Sequence, residues 1–165
     1  MAFLPEDFVV PTLVAGLRFR IRPITVHDVV RVFDAVTSSR ERLRQQFGEV
    51  RGWPAGDLTL EECLIDVAWQ QKQATLRRSF VFAVLTTDEA RMLGCIYVGP
   101  PASAGAAEAD VAFWVRASEA DSGLEKEIDE FVREWVETAW PFTDVRLPGS
   151  DTSWAEWGFL PALPG

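Results

Sequence analysis

Apolar and polar positions along the chain change period several times, and each change predicts an element. Leu17, Phe19 and Ile21 alternate with Arg18, Arg20 and Arg22 ahead of Pro23, the two-residue period of a half-buried strand. Before it, residues 1–16 carry apolar clusters broken by Pro5, Pro11 and Gly16 and read as an extended lead-in lying on the domain. After it, Thr25 is placed to N-cap a helix with Asp28 in the first turn, and Val29, Phe33 and Val36 follow at helical spacing to about Ser38. A shorter helical piece holds Leu43 and Phe47. Thr59 and Glu62 form a T-x-x-E capping box for a third helix, with Leu60, Cys63, Leu64 and Val67 as its apolar stripe, ending near Arg77.

The middle of the chain is β-rich. SFVFAVLT and MLGCIYV flank the turn TDEAR and predict two adjacent antiparallel strands, and ADVAFWVR predicts a third after a loop of small residues. The clearest helix follows, with Leu124, Ile128, Phe131, Trp135 and Val136 on one face and Glu125, Lys126, Asp129, Glu130, Arg133 and Glu137 on the other. FTDVRL predicts a short strand, DTSWAEW a single helical stretch and GFLPALPG a brief terminal segment. The order of elements predicts one α+β domain over residues 1–165, a mostly antiparallel central sheet flanked by helices.

Composition narrows the function classes. The 165 residues are 48% hydrophobic and 25% charged, enough for one core. A formal net charge of -9 argues against a nucleic-acid partner, which needs clustered Lys and Arg. The N-terminal MAFLPEDFVV carries acids where a secretion signal carries bases, and no run of about 18 apolar residues predicts a membrane span, so a cytoplasmic setting is expected. Cys63 and Cys95 lie in apolar patterns without CxxC spacing or a neighbouring His, which predicts buried thiols and no metal site.

Four segments in this order resemble the acyl-CoA N-acyltransferase (GNAT) superfamily over about residues 17–160: RFRIRPITVHD, MLGCIYV, ADVAFWVR leading into GLEKEIDEFV, and WAEWGF. The stretch WPAGDLTLEE is similar to one found in a subgroup of GNAT-like proteins. The resemblance implies a mixed sheet whose fourth family strand, here ADVAFWVR, splays from the next. The pantetheine arm of acetyl-CoA pairs with the exposed edge, and the pyrophosphate rests on backbone N–H groups at the start of the following helix, where free donors and the helix dipole favour an anion. Acetyl transfer to a small-molecule amine is the implied reaction. It needs mainly an oriented amine and a group to take its proton.

Carried onto this chain, the resemblance places cofactor contacts on Val115, Arg116, Ser118, Asp121, Ser122, Gly123 and Leu124. The family's [RQ]-x-x-G-x-[GA] loop is matched in neither register: with Gly123 as the last glycine, Ser118 and Asp121 fill the first two fixed positions, and with Gly123 as the first, Ala120 and Glu125 fill the outer ones. Glu119, Asp121 and Glu125 bring like charge to the phosphates, each pair costing on the order of 2–3 kcal/mol at about 6 Å and an effective dielectric of about 20, with Arg116 offsetting part.

Asp110 stands where the family often has a strand carboxylate and is a candidate base, or else a strand-end surface Asp. Glu62, with Asp66 one turn on, is a second candidate, or else simply closes its capping box. The family's terminal-helix tyrosine is replaced by Trp154. Tyr97 reads as a packed strand residue and His27 as a solvated one, while Trp53, Trp69, Trp114, Trp154 and Trp157 either line an aromatic cleft or fill the core.

Only six residues follow Phe159, which implies a shortened C-terminal hairpin and a sheet edge left open, covered by residues 1–14 or covered by a second copy in a homodimer. Two functions stand side by side: an acetyl-CoA-dependent N-acetyltransferase, and a catalytically silent module of the same fold that binds a small ligand or a protein partner.

Overall fold

The computed structural model describes residues 2–16, 18–47, 52–101 and 107–148. The stretch predicted as a terminal helix, with Trp154 and Trp157, and the shortened hairpin lie outside the described residues, as does Leu17. Six strands run in sheet order β1-β2-β3-β4-β5-β6: β1 (Val14–Ala15), β2 (Arg20–Pro23), β3 (Phe80–Leu85), β4 (Met92–Gly99), β5 (Ala109–Val115) and β6 (Val145–Arg146). All neighbours are antiparallel except β5 and β6, which are parallel. Four helices accompany them: α1 (Val29–Ser38), α2 (Arg40–Phe47), α3 (Leu60–Thr75) and α4 (Leu124–Ala139). A parallel pair requires a crossover, and α4 is that crossover between β5 and β6.

The alternation of side chains along β3, β4 and β5 builds two cores, one on each sheet face. Val81, Ala83, Cys95, Tyr97, Ala112 and Trp114 face α1, α2 and α3. Phe80, Phe82, Ile96, Val98, Val111 and Val115 face α4, whose Leu124, Ile128, Val132, Trp135 and Val136 are all buried. With both faces covered, the middle strands read as continuous apolar runs rather than alternating ones. The lead-in does more than lie on the domain. Val14 and Ala15 pair with β2, Phe3 stacks on Phe142 and Phe8 packs on Trp140, covering the α4 side of the sheet.

The predicted Thr59–Glu62 capping box forms, and Thr25 stands at the head of the turn that leads into α1. The Thr59 hydroxyl accepts from the Glu62 amide at 3.1 Å while the Glu62 carboxylate accepts from the Thr59 amide at 2.9 Å. Asp28 accepts from the Thr25 amide at 2.9 Å and holds both outer nitrogens of Arg22, at 2.7 and 2.8 Å, so this wholly buried carboxylate ties β2 to the start of α1. Gly94 sits where β4 crosses closest to β5: a Cβ there would lie 2.1 Å from the Trp114 carbonyl oxygen, a distance no side chain tolerates.

Candidate functional site

Strands β5 and β6 pair at two positions only, Ala109 with Val145 and Asp110 with Arg146. Two devices fix that end. Arg146 donates to both carboxylate oxygens of Asp110, each at 2.7 Å, and the Glu108 carboxylate accepts from the amides of Thr143 and Asp144, at 2.5 and 3.1 Å. Beyond Asp110 no described strand accompanies β5 on this side, and the space between its free edge, α2, the start of α4 and Leu147 is an open cleft of about 910 Å³. That is the size of a cleft built for a substantial ligand.

The free edge is not bare. Alternate residues of a strand direct their backbone groups to alternate sides, and the outward carbonyls here are those of Phe113 and Val115. Gln46 donates its side-chain amide to the Phe113 carbonyl at 3.0 Å, and Arg42 donates Nε to the Val115 carbonyl at 3.3 Å. Arg42 also reaches Glu125 in the first turn of α4 at 2.6 Å, bridging α2, β5 and α4 across the end of the cleft. Sequence reasoning missed both α2 residues. Their one signal is a spacing of four that puts Arg42 and Gln46 on one helix face, which says nothing about where that face points.

The turn from β5 into α4 holds the other predicted cofactor residues. Gly123 has φ +84, the left-handed conformation a glycine adopts without strain, and its Cβ position is open space. Ser118, Asp121, Ser122 and Gly123 are exposed, whereas Val115 and Leu124 direct their side chains into the core. Arg116 is buried and turns away from the loop, donating to the Met92 carbonyl at 2.9 Å and to Asp34 at 3.1 Å. It therefore braces β4 and α1, and does not offset the loop's negative charge as expected from its position in the sequence. Several loop amides already have acceptors: Ala117 donates to the Ser39 hydroxyl at 2.8 Å, Ser122 to the Glu119 carbonyl at 3.2 Å and Leu124 to the Ser122 hydroxyl at 3.2 Å.

Of the carboxylates singled out in the sequence, Asp110 is wholly buried in its pair with Arg146, at the closed end of the β5–β6 gap. Glu62 is exposed and closes its capping box. Asp66 lies one turn further along α3, and burial, with the Glu62 charge adding, pushes its carboxyl up to about 6. Trp114 is buried and donates Nε1 to the Tyr97 hydroxyl at 2.7 Å; Trp53 packs against Trp114 with ring centroids 6.4 Å apart. Trp69 is half-exposed on α3, and His27 is exposed. Both cysteines are buried and unbridged, and burial pushes the Cys63 thiol up to about 12.

No family model and no curated protein matches this chain. Solved structures do. The ribosomal-protein-S5-alanine acetyltransferase of Vibrio fischeri superposes with a TM-score of 0.60 at 14% identity, over 78% of this chain and 69% of that one. A GNAT-family acetyltransferase structure from Bordetella pertussis gives 0.55 at 14% identity, over 77% and 73%. The microcin C7 self-immunity acetyltransferase MccE, solved with acetyl-CoA and AMP, gives 0.58 at 9% identity, over 76% and 66%. The fold is that of the GNAT acetyltransferases. Strand β5 holds ADVAFWV, the segment that resembles the family's fourth strand, and Val14 and Ala15 add an edge strand ahead of β2. No helix among the described residues is long and apolar enough to cross a membrane.

Proposed function

We infer that this GNAT-fold chain transfers an acetyl group from acetyl-CoA to a primary amine, with the cofactor lying in the cleft along the free edge of β5. One observation carries the reading: from Val111 to Val115 no described strand pairs with β5 on its cleft side, and its outward carbonyls accept N–H donors from Gln46 and Arg42. A pantetheine arm offers amide N–H groups of the same kind, so it fits an edge with that demand. Three cations, Arg42, Lys126 and Arg133, line the cleft, each beside a carboxylate of α4, Glu125, Glu130 and Asp129. A ligand bearing phosphates would take these cations over from their carboxylate partners.

Bound there, acetyl-CoA would supply the acetyl group as a thioester already activated toward attack by an amine. The chain's part is to align the thioester along β5 and to hold the amine within reach. The Asp110 carboxylate accepts from Arg146 and the Glu62 carboxylate from the Thr59 amide.

A second reading, a ligand-binding module of this fold that does not use the cofactor, draws on the loop amides of Ala117, Ser122 and Leu124, which are satisfied within the chain, and on the acids Glu119, Asp121 and Glu125 around them. Release of free thiol from acetyl-CoA, followed with a thiol reagent across a panel of primary amines, separates the two. Amine-dependent thiol release supports transfer, and release no faster than hydrolysis with every amine leaves the binding module.

A further inference from the structure

On the α1–α3 face of the sheet, under the stretch of β5 whose other edge is open, lies a small cavity of about 30 Å³. That is room for one or two water molecules, or for the last two heavy atoms of a ligand. Trp53, Tyr97 and Trp114 form its buried walls, and Leu58, Asp66 and Gln70, all partly exposed, form the side that reaches solvent.

Asp66 is the anomaly in this site. The two wholly buried carboxylates hold guanidinium groups: Asp28 holds Arg22, and Asp110 holds Arg146. No hydrogen bond or ion pair joins Asp66 to another described residue. Its charge nevertheless reaches the cavity walls, adding to burial in pushing up both the Cys63 thiol and the Tyr97 hydroxyl. A half-buried carboxylate without a cation costs stability, and the cost falls when a cation arrives as ligand. The walls favour one, since Trp and Tyr faces attract a cation and exclude water from around it. Glu62, one turn away on α3, adds negative charge at the opening.

We propose that this cavity receives the head of a primary alkylammonium ion, R–CH2–NH3+, with Asp66 as its counter-ion and Trp53, Tyr97 and Trp114 as its walls. The volume admits a methylene and an ammonium nitrogen and excludes a trimethylated head. The proposal deepens the transfer reading, because Ala112 and Trp114 face the α1–α3 side while the edge of the same strand lines the cleft. Binding itself does not depend on transfer.

The test uses the full chain with no cofactor present. Butylammonium is titrated by calorimetry and by tryptophan fluorescence, against 1-butanol as the uncharged isostere and tetramethylammonium as the over-sized cation. Butylammonium is expected to saturate, with both controls weaker by about tenfold or more. Asp66→Asn is expected to lose butylammonium by a similar factor while melting no lower than the parent. Equal affinity for butanol and butylammonium, undiminished binding by Asp66→Asn, or no saturation by about 0.1 M overturns the proposal. A glycyl dipeptide amide runs in parallel: saturation by it as well assigns the site to peptide N-termini, and saturation by butylammonium alone assigns it to small amines. A negative result here leaves thiol release from acetyl-CoA as an independent test of transfer.

Discussion

Gln46 donates its side-chain amide to the carbonyl of Phe113 at 3.0 Å, filling on the open edge of β5 the place where a ligand amide would donate. The helix α2 thus competes with any chain-like ligand that lies along that strand. A net hydrogen bond between protein groups stabilises by about 1 kcal/mol, so the competition is modest.

Gln46→Ala is therefore expected to bind acetyl-CoA more tightly, by about three- to tenfold, while losing about 1 kcal/mol of stability. Calorimetry and a thermal melt check the two effects separately. Weaker cofactor binding in this variant would mean that Gln46 is part of the site, not its competitor.

Arg146→Ala strips both guanidinium bonds from Asp110, which is wholly buried. Breaking one side of such a pair costs about 3 kcal/mol, or roughly 10 °C in melting temperature for a chain of this size. The pair also holds β6 against β5 at the closed end of the gap, so cofactor affinity should fall along with stability. Unchanged melting would show that the pair does not fix that end.

Gly94→Ala should be far more damaging than a surface change to alanine. The added Cβ would meet the Trp114 carbonyl at 2.1 Å, and backbone cannot step aside as a side chain does. A loss of about 2–3 kcal/mol or more is expected from the forced separation of β4 and β5, read as a lower denaturation midpoint. Gly123→Ala, with open space around its Cβ but φ +84, should cost only about 1 kcal/mol from backbone strain.

Much of this was legible beforehand, and the division has a physical cause. Local signals survived: the Thr59–Glu62 capping box and the amphipathic stripe of α4 depend on residues within one or two turns, and both stand where the pattern put them. Pairings over long separations were not legible. Nothing in the sequence links Arg116 to Met92 and Asp34, and its place before the loop suggested a phosphate ligand when it is a buried brace. Asp110 and Arg146 are 36 residues apart, and only a parallel register sets them side by side. Asp66 and Glu62 were visible as neighbours on a helix face, but the aromatic cavity beside Asp66 is assembled from three distant segments.

Acid titration should separate two carboxylates of opposite sign. For Asp28, burial alone would push the carboxyl up, but Arg22, the Thr25 amide and Arg31 together hold it below its ordinary 3.8. Its stabilising contribution is complete above pH 3.8 and is lost as pH falls from there through the folded-state value. Asp66 behaves in the reverse way. With its carboxyl pushed up to about 6, the folded form binds a proton that the unfolded form lacks between about pH 6 and 3.8, so its contribution to stability grows as pH falls through that window. Asp66→Asn should then melt higher than the parent at pH 7, by about 1 kcal/mol after allowance for its partial exposure, with the gain vanishing near pH 4. Melting curves of both proteins from pH 3 to 7 show it, and a gain that is independent of pH would contradict the assignment.

The central claim is that the gap beside β5 is an acetyl-CoA site. Calorimetric titration of the full chain with acetyl-CoA tests it most directly. Saturable heat with a Kd of roughly 1–100 μM, weakened about tenfold or more when Lys126 and Arg133 are both changed to Glu, is the predicted result. No heat at about 1 mM cofactor, or binding indifferent to those charge reversals, would contradict it.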